Sequence, residues 1–475
     1  MNFDENKTIV VIGAGPVGIS AAAHLISRGL TPIVLEKGIS VGAAISQWGH
    51  VKLFSPWNYI VDTQVRVLLQ KTDWQEPDKK GLPTGQEIVD QYLIPASLTP
   101  QLYQAISYEK EVIAVSKQGH AKSSSNGRNG VEYTVHIRST DGTVEIIKAA
   151  AVIDASGTWS NPNPIGLDGL PVSGERENQD AIVYGIPYAL GKDKADYAGN
   201  RVLVLGGGHS AINVALDLLK LQRSHSDTKV IWGLRTNKLE KLLGGGINDE
   251  LPARGDLGIA AKKAIDAGLL DVHAPFEVKR ITKVTTGLSI EAITDNGQTT
   301  FEVDRIIVTT GFRPDLNMLR ELRLELDSIV EAPKVLAPLI DPNLHSCGSV
   351  PPHGFRELSH PDENFYIVGM KAYGRAPTFL MLTGYEQVRS VAAQLAGDHE
   401  SANRVELILP KTGVCSTNKS NSGSGCCEIE PEEINSSCCI PKVPMPAALP
   451  LVDKAKSACC VTKSTPIPSK TSCCG

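Results

Sequence analysis

A chain of 475 residues, 41% hydrophobic and 21% charged, has the length of about three domains and enough apolar content for large cores. Its formal net charge of -5 gives no basic footprint for a phosphate backbone, which argues against nucleic acid as a partner. The start, "MNFDENK", lacks the basic region of a secretion signal and no apolar run reaches about 18 residues, so no membrane span is expected and a cytoplasmic location is.

In chain order, the first predicted unit is "KTIVVIGAGPVGISAAAHLISRGLTPIVLEKG": an apolar β-branched strand, a glycine turn, a helix and a second strand ending in Glu36. Gly13 permits the tight turn, Gly15 lets the backbone approach a pyrophosphate, and Gly18 lets helix and strand pack closely. Glu36, about 20 residues on, is placed to bind a ribose hydroxyl pair. Next come two strand patterns, the turn "TDG", and "TVEIIKAAAVIDASGTWSNPNP", which carries Gly157.

The plan then repeats. "RVLVLGGGHSAINVALDLLKLQ" places Gly206, Gly208 and Ala211 at the fingerprint positions, and Ile212, Ala215, Leu216 and Leu219 recur at helical spacing. The following strand pattern, "TKVIWGLR", ends in Arg235 where the first copy has an acid; an arginine there can pair with the 2'-phosphate of NADP. Two further strands, the turn "DNG" and "TTFEVDRIIVTTGFRPD" mirror the first half. "NFYIVGMKAYGRAPTFLMLTGYEQVRSVAAQLAGD" supplies a last strand, a turn at Gly369 and a closing helix. The expected fold class is therefore α/β, with two nested Rossmann-like dinucleotide-binding domains, each with a small β-meander, plus a flexible C-terminal tail. The expected bounds are 1–168 and 305–398 for the first domain, 169–304 for the inserted second domain, and 399–475 for the tail. Two dinucleotide modules imply one resident cofactor and one that visits.

These motifs resemble the two-dinucleotide flavoproteins, in the flavin-containing monooxygenase-like branch, over residues 7 to 398. More narrowly, "WGHVKLFSPWNY", "LPTGQEIVDQYL", "LGGGINDELPARGDLG" and "YGRAPTFLMLTGYEQVRSV" are similar to bacterial flavoproteins encoded beside arsenic-resistance genes. The resemblance implies that Gly13, Gly15, Gly18 and Glu36 bind the ADP half of FAD, with Trp48 near the flavin and Gly157 and Gly369 lining its groove. It implies that Gly206, Gly208, His209, Ser210, Ala211 and Arg235 hold NADPH. His209 reads equally as a capping residue, and Arg375 as an anion-binding or a surface arginine. Three departures stand out. The body lacks a CxxC or CxxxxC thiol pair, "VYGIPYA" has Ala189 where the monooxygenase fingerprint has histidine, and Met370 follows Gly369 where many relatives have aspartate.

The cysteines are concentrated at the end. Of ten, only Cys347 lies in the first 414 residues, and eight form the pairs Cys426–Cys427, Cys438–Cys439, Cys459–Cys460 and Cys473–Cys474. Adjacent Cα atoms are about 3.8 Å apart, too close for a relaxed disulfide within a pair, so shared chelation or bonding between pairs is easier. Thiolates select soft ions, trivalent arsenic among them by the same softness argument. The expectation is an NADPH-dependent flavoprotein that oxidises a soft sulfur or arsenic compound in a monooxygenase-like reaction, with a tail that captures the metal(loid). A reductase feeding tail disulfides or a thiol-bound metal(loid), and a non-catalytic metal-binding sensor, are the alternatives. The partners are a small-molecule substrate and a soft ion, with a homodimer left open.

Overall fold

The computed structural model describes residues 8–236, 252–342, 350–376 and 379–407. The apolar runs become parallel strands covered on both faces, which is why they read as unbroken rather than alternating. With strands numbered in chain order, the first sheet runs β16 (Phe365–Ile367), β7 (Ala151–Asp154), β1 (Thr8–Ile12), β2 (Thr31–Leu35) and β3 (Ile106–Ser107), every neighbouring pair parallel. The second runs β11 (Asp271–His273), β10 (Lys229–Gly233), β9 (Arg201–Leu205), β15 (Arg305–Val308) and β8 (Ile182–Tyr184), also parallel. Each half carries an antiparallel meander: β4 (Lys110–Lys117), β5 (Tyr133–Ser139) and β6 (Val144–Ala149) in the first, β12 (Phe276–Val284), β13 (Gly287–Thr294) and β14 (Gly297–Val303) in the second.

Five helices matter below: α1 (Pro16–Ile26), α2 (His209–Ser224), α3 (Pro252–Asp266), α4 (Met381–Leu395) and α5 (His399–Asn403). Pro16 sits in the first turn of α1, where its missing N–H is not needed. The inner face of α2 holds Ile212, Ala215 and Leu219 as expected. Val214 and Leu218 join them, and Leu216 is only partly buried.

Two expected bounds shift. β15 pairs with β9 and β8, so residues 305–308 belong to the second sheet and not to the returning first domain. The repeat explains this: β15 is the counterpart of β7, the strand that follows each meander and returns to its own sheet. At the other end α5 belongs to the body. Ser390 Oγ on α4 donates to the Ala402 carbonyl at 2.7 Å, Arg389 Nη1 donates to the Ser401 carbonyl at 2.8 Å, and Asp398 caps α5 through Ser401 N–H. The boundary at 399 therefore cuts through packed structure. Cys347 and all the cysteines of the tail lie outside the described residues.

The chain crosses between the two domains on two extended segments joined by an isolated antiparallel bridge at Pro162 and Phe312. Asn163 N–H donates to the Gly311 carbonyl at 2.9 Å and Arg313 N–H to the Asn161 carbonyl at 3.0 Å. The side chains of Asn161, Asn163 and Thr310 add cross-links over the same stretch. The two post-meander turns seen as a repeat in sequence thus form one connector.

Candidate dinucleotide sites

Strand register builds the first site. Ile367 pairs with Asp154, Asp154 with Ile12, and Ile12 with Leu35, so β16, β7, β1 and β2 end at one level. The loops leaving that edge carry Gly369, Gly157, Gly13 and Glu36. Ligands of open parallel sheets bind at this carboxyl edge.

Within the first fingerprint the glycines divide by role. Gly13 has φ +95, a left-handed conformation, and a Cβ there would lie 3.0 Å from the Ala155 carbonyl oxygen. At Gly18 a Cβ would overlap the Gly13 carbonyl oxygen and approach its carbon to 3.0 Å. Both are demanded by the protein's own backbone. Gly15 is different: its φ is -77, open to any residue, and a Cβ would meet nothing within 4 Å. No protein neighbour requires glycine at this helix entrance, and that fits close approach of an external pyrophosphate to the N-terminus of α1. A Cβ at Gly157 would likewise meet nothing, whereas one at Gly369 would lie 3.2 Å from Val17 Cγ2, so the Gly369 turn packs on the first turn of α1.

Glu36 is 7% exposed and ties the edge together. One carboxylate oxygen accepts from Ala14 N–H at 2.7 Å and the other from Gly38 N–H at 2.8 Å. Each oxygen keeps a second lone pair with which it can accept a further donor such as a hydroxyl.

The second site repeats the pattern. Leu205, Gly233 and Val308 end their strands in register. Gly206 has φ +138, and a Cβ would lie 2.6 Å from the Thr309 carbonyl oxygen. A Cβ at Gly208, with φ -112, would meet nothing. Ala211 is fully buried at the third position, so this turn holds a methyl group where a Cβ at Gly18 would overlap the Gly13 carbonyl oxygen. His209 opens α2 with Ser210 beside it, and both are partly buried. Arg235 is exposed, two residues past the end of β10.

An aromatic cluster joins the domains. Trp159 stacks obliquely on Phe312 at 4.6 Å, lies 6.3 Å from Trp48, and donates its indole N–H to Gln47 Oε1 at 2.8 Å. Phe54 meets His209 edge-on at 5.6 Å, and His50 stacks on Tyr188 at 4.6 Å, where burial pushes the imidazole pKa down. Of the three aromatics in "WGHVKLFSPW", Trp57 is core, Trp48 packs on the first domain's core beside Trp159, and Phe54 reaches the second module at His209. Arg375 Nε pairs with Glu331 Oε2 at 2.7 Å on the surface, which favours a surface arginine over an anion-binding one.

Sequence reasoning missed a buried ion pair at the edge itself. Lys371 Nζ lies 2.7 Å from Asp154 Oδ2 and donates to Ser156 Oγ at 3.0 Å, with both charged side chains essentially inaccessible. Asp154 Oδ1 also accepts from Ser156 Oγ at 2.6 Å. The available signal was a lone acid ending the apolar run "AAAVID" and a lone lysine inside "FYIVGMKAY".

The family model described as pyridine nucleotide-disulphide oxidoreductase matches residues 10–335. The chain belongs to that family. It is an enzyme, a flavoprotein oxidoreductase whose cofactors are FAD and NADPH. A ferredoxin–NADP reductase of Thermus thermophilus is 25% identical over 356 residues, covering 73% of this chain and 85% of its own length. The bacillithiol disulfide reductase Bdr of Bacillus cereus superposes with a TM-score of 0.59 at 20% identity, covering 82% of this chain and 99% of that one. DfoA, the cadaverine monooxygenase of Erwinia amylovora, superposes with a TM-score of 0.53 at 14% identity, covering 88% and 99%. Reductases and monooxygenases thus share this fold, as expected for the two-dinucleotide architecture. Among the described residues no helix is long and apolar enough to cross a membrane, and no cluster of His, Cys, Asp or Glu is arranged to hold a metal ion.

Proposed function

We propose that the first fingerprint holds FAD and the second NADPH, and that the enzyme oxidises a soft sulfur or arsenic compound, with the cysteine-rich tail capturing the substrate. Gly13, Gly15, Gly18, Glu36, Trp48, Gly157 and Gly369 would line the FAD groove. Gly206, Gly208, His209, Ser210, Ala211 and Arg235 would hold NADPH, the arginine through the 2'-phosphate. FAD supplies the two-electron carrier between NADPH and the final acceptor. The net reaction balances as NADPH, a proton, oxygen and a substrate lone pair giving NADP⁺, water and the substrate oxide.

The observation that carries this reading is the separation of parts. Neither glycine fingerprint contains a cysteine, while eight paired cysteines follow in the tail sequence. Tethered thiolates act by raising local substrate concentration. The resemblance to flavoproteins encoded beside arsenic-resistance genes supports arsenic as the soft element. A second reading, NADPH-dependent reduction of tail disulfides to thiols, is favoured by the family's reductase members; one NADPH and one proton then convert one disulfide to two thiols.

The deciding experiment follows NADPH oxidation by the holoenzyme with and without oxygen, with arsenite or a small thioether, in the full chain and in a variant with the eight paired cysteines changed to serine. Oxygen-dependent product, with a raised KM and unchanged flavin reduction in the serine variant, supports capture. Oxygen-independent turnover that vanishes in the serine variant supports the reductase, and arsenite turnover indifferent to the serine changes refutes capture.

A further inference from the structure

A single-file chain of hydrogen bonds runs from the exposed Pro351 through two buried side chains and ends on the buried Gly369. Gly369 N–H donates to Gln387 Oε1 at 2.7 Å, and Gln387 Nε2 lies 2.8 Å from His353 Nε2. His353 Nδ1 in turn lies 3.1 Å from the Pro351 carbonyl oxygen. Gln387 is fully buried and His353 is 2% exposed. The polarity of such a chain is forced. The carbonyl of Pro351 can only accept, so Nδ1 carries a proton, and the amide nitrogen of Gln387 can only donate, so Nε2 does not. The loop bearing His353 is clamped on α4 one turn further along, where Phe355 N–H donates to Ser390 Oγ at 3.0 Å.

We propose that His353 and Gln387 are positioning residues for FAD: with the imidazole neutral they fix the amide of the Gly369 turn, which packs on the first turn of α1 and shapes the cofactor groove. The inference rests on the placement of FAD against Gly369 proposed above. Protonating His353 puts a second donor against the Gln387 amide nitrogen. The amide must then turn over, presenting its NH₂ to Gly369 N–H, or leave a buried donor without an acceptor. Either outcome loosens the turn.

The surroundings favour the neutral ring. Burial pulls the His353 pKa below that of a free imidazole, against smaller upward pulls from the Pro351 carbonyl, Glu357 and Glu386. Glu357 is engaged with Gly354 N–H and Glu386 with Arg389, and the Tyr373 ring, its hydroxyl neutral because burial raises its pKa, lies 5.7 Å from the imidazole. The neutral form is present at pH 7 and is lost as pH falls below the ordinary histidine value through the lowered one.

The test is FAD affinity, read by fluorescence of released flavin from the holoenzyme between pH 7.5 and 5. The wild-type dissociation constant should rise about tenfold at the acid end, the loss of one buried hydrogen bond. Gln387→Glu should bind at both pH values alike, because a carboxylate accepts from Gly369 N–H and from a protonated imidazole together. His353→Gln, which offers an acceptor that cannot titrate, should also lose the acid sensitivity and covers the case in which Gln387→Glu fails to fold. Wild-type acid sensitivity in the folded variants overturns the relay. FAD retained by Gly15→Val would instead overturn the groove placement, and this proposal with it.

Discussion

Gly15→Val and Gly18→Ala separate what the fold needs from what the cofactor needs. At Gly15 a new side chain meets no protein atom within 4 Å and the backbone is already in a region open to valine. The cost to the flavin-free protein is a poorer helix N-cap, about 1 kcal/mol, partly offset by the smaller entropy of the unfolded chain. For the cofactor the same side chain occupies the space the pyrophosphate would approach. Losing two charge-assisted contacts from the α1 N-terminus costs about 3 to 6 kcal/mol, or roughly 10²- to 10⁴-fold in FAD affinity. At Gly18 the order reverses. The Cβ overlaps the Gly13 carbonyl, whose carbon would lie 3.0 Å away, so helix and strand must part and the flavin-free protein should lose about 1 to 3 kcal/mol. Thermal unfolding after flavin removal, beside flavin content as purified, reads both quantities. A Gly15→Val protein that purifies yellow, or one whose flavin-free form melts as low as Gly18→Ala, would refute the division of roles.

Arg235→Ala should raise the NADPH KM on the order of 10- to 100-fold and leave NADH nearly unchanged, and equal use of both cofactors by the unmodified enzyme would sink the 2'-phosphate role. Lys371→Met strands a buried Asp154 and should cost about 3 to 5 kcal/mol in urea unfolding, while the double variant Asp154→Asn, Lys371→Met should recover most of it; a harmless single variant would contradict the buried pair. His360 is held neutral, its pKa lowered to about 4, chiefly by burial, while its Nδ1 accepts from Glu325 N–H. Between about pH 6.5 and 4 the unfolded chain therefore binds the extra proton and stability falls as pH drops, by about 3 kcal/mol over the window. His360→Gln should flatten that part of the stability profile, and an unchanged slope would assign the acid loss elsewhere.

Most of the architecture was legible because it is periodic and repeated. The glycine turn with a strand before and a helix after occurs twice, and each meander is followed by an apolar strand; these are local signals whose spacing survives without tertiary information. The shifted bounds show the limit. By sequence "VDRIIVTTG" opens the returning domain, yet β15 is the partner of β9, and strand partners are chosen across more than 100 residues. α5 escaped for a related reason. Its five residues are too short to show a helical period, and what holds them is the row of side chains on α4 that reaches Ser401 and Ala402.

The buried polar contacts were hidden for a different reason, and it bears on function. A lysine in an apolar run looks like an interruption until the acid from another strand is found opposite it, as with Lys371 and Asp154, which lie 217 residues apart. Both belong to the edge where β7 and β16 end, as does Gly369 with its tie to Gln387. The chain lacks the aspartate that many resembling proteins carry after Gly369, and in its place the edge is organised by a buried cation one residue further on and by an amide from α4. Parallel strands leave their carbonyl ends and turn amides pointing at the ligand edge, so groups that fix those turns act on any dinucleotide bound there without touching it. The fingerprint glycines define where a cofactor sits; how firmly the loops around it are held depends on pairs such as these, which only the folded register brings together.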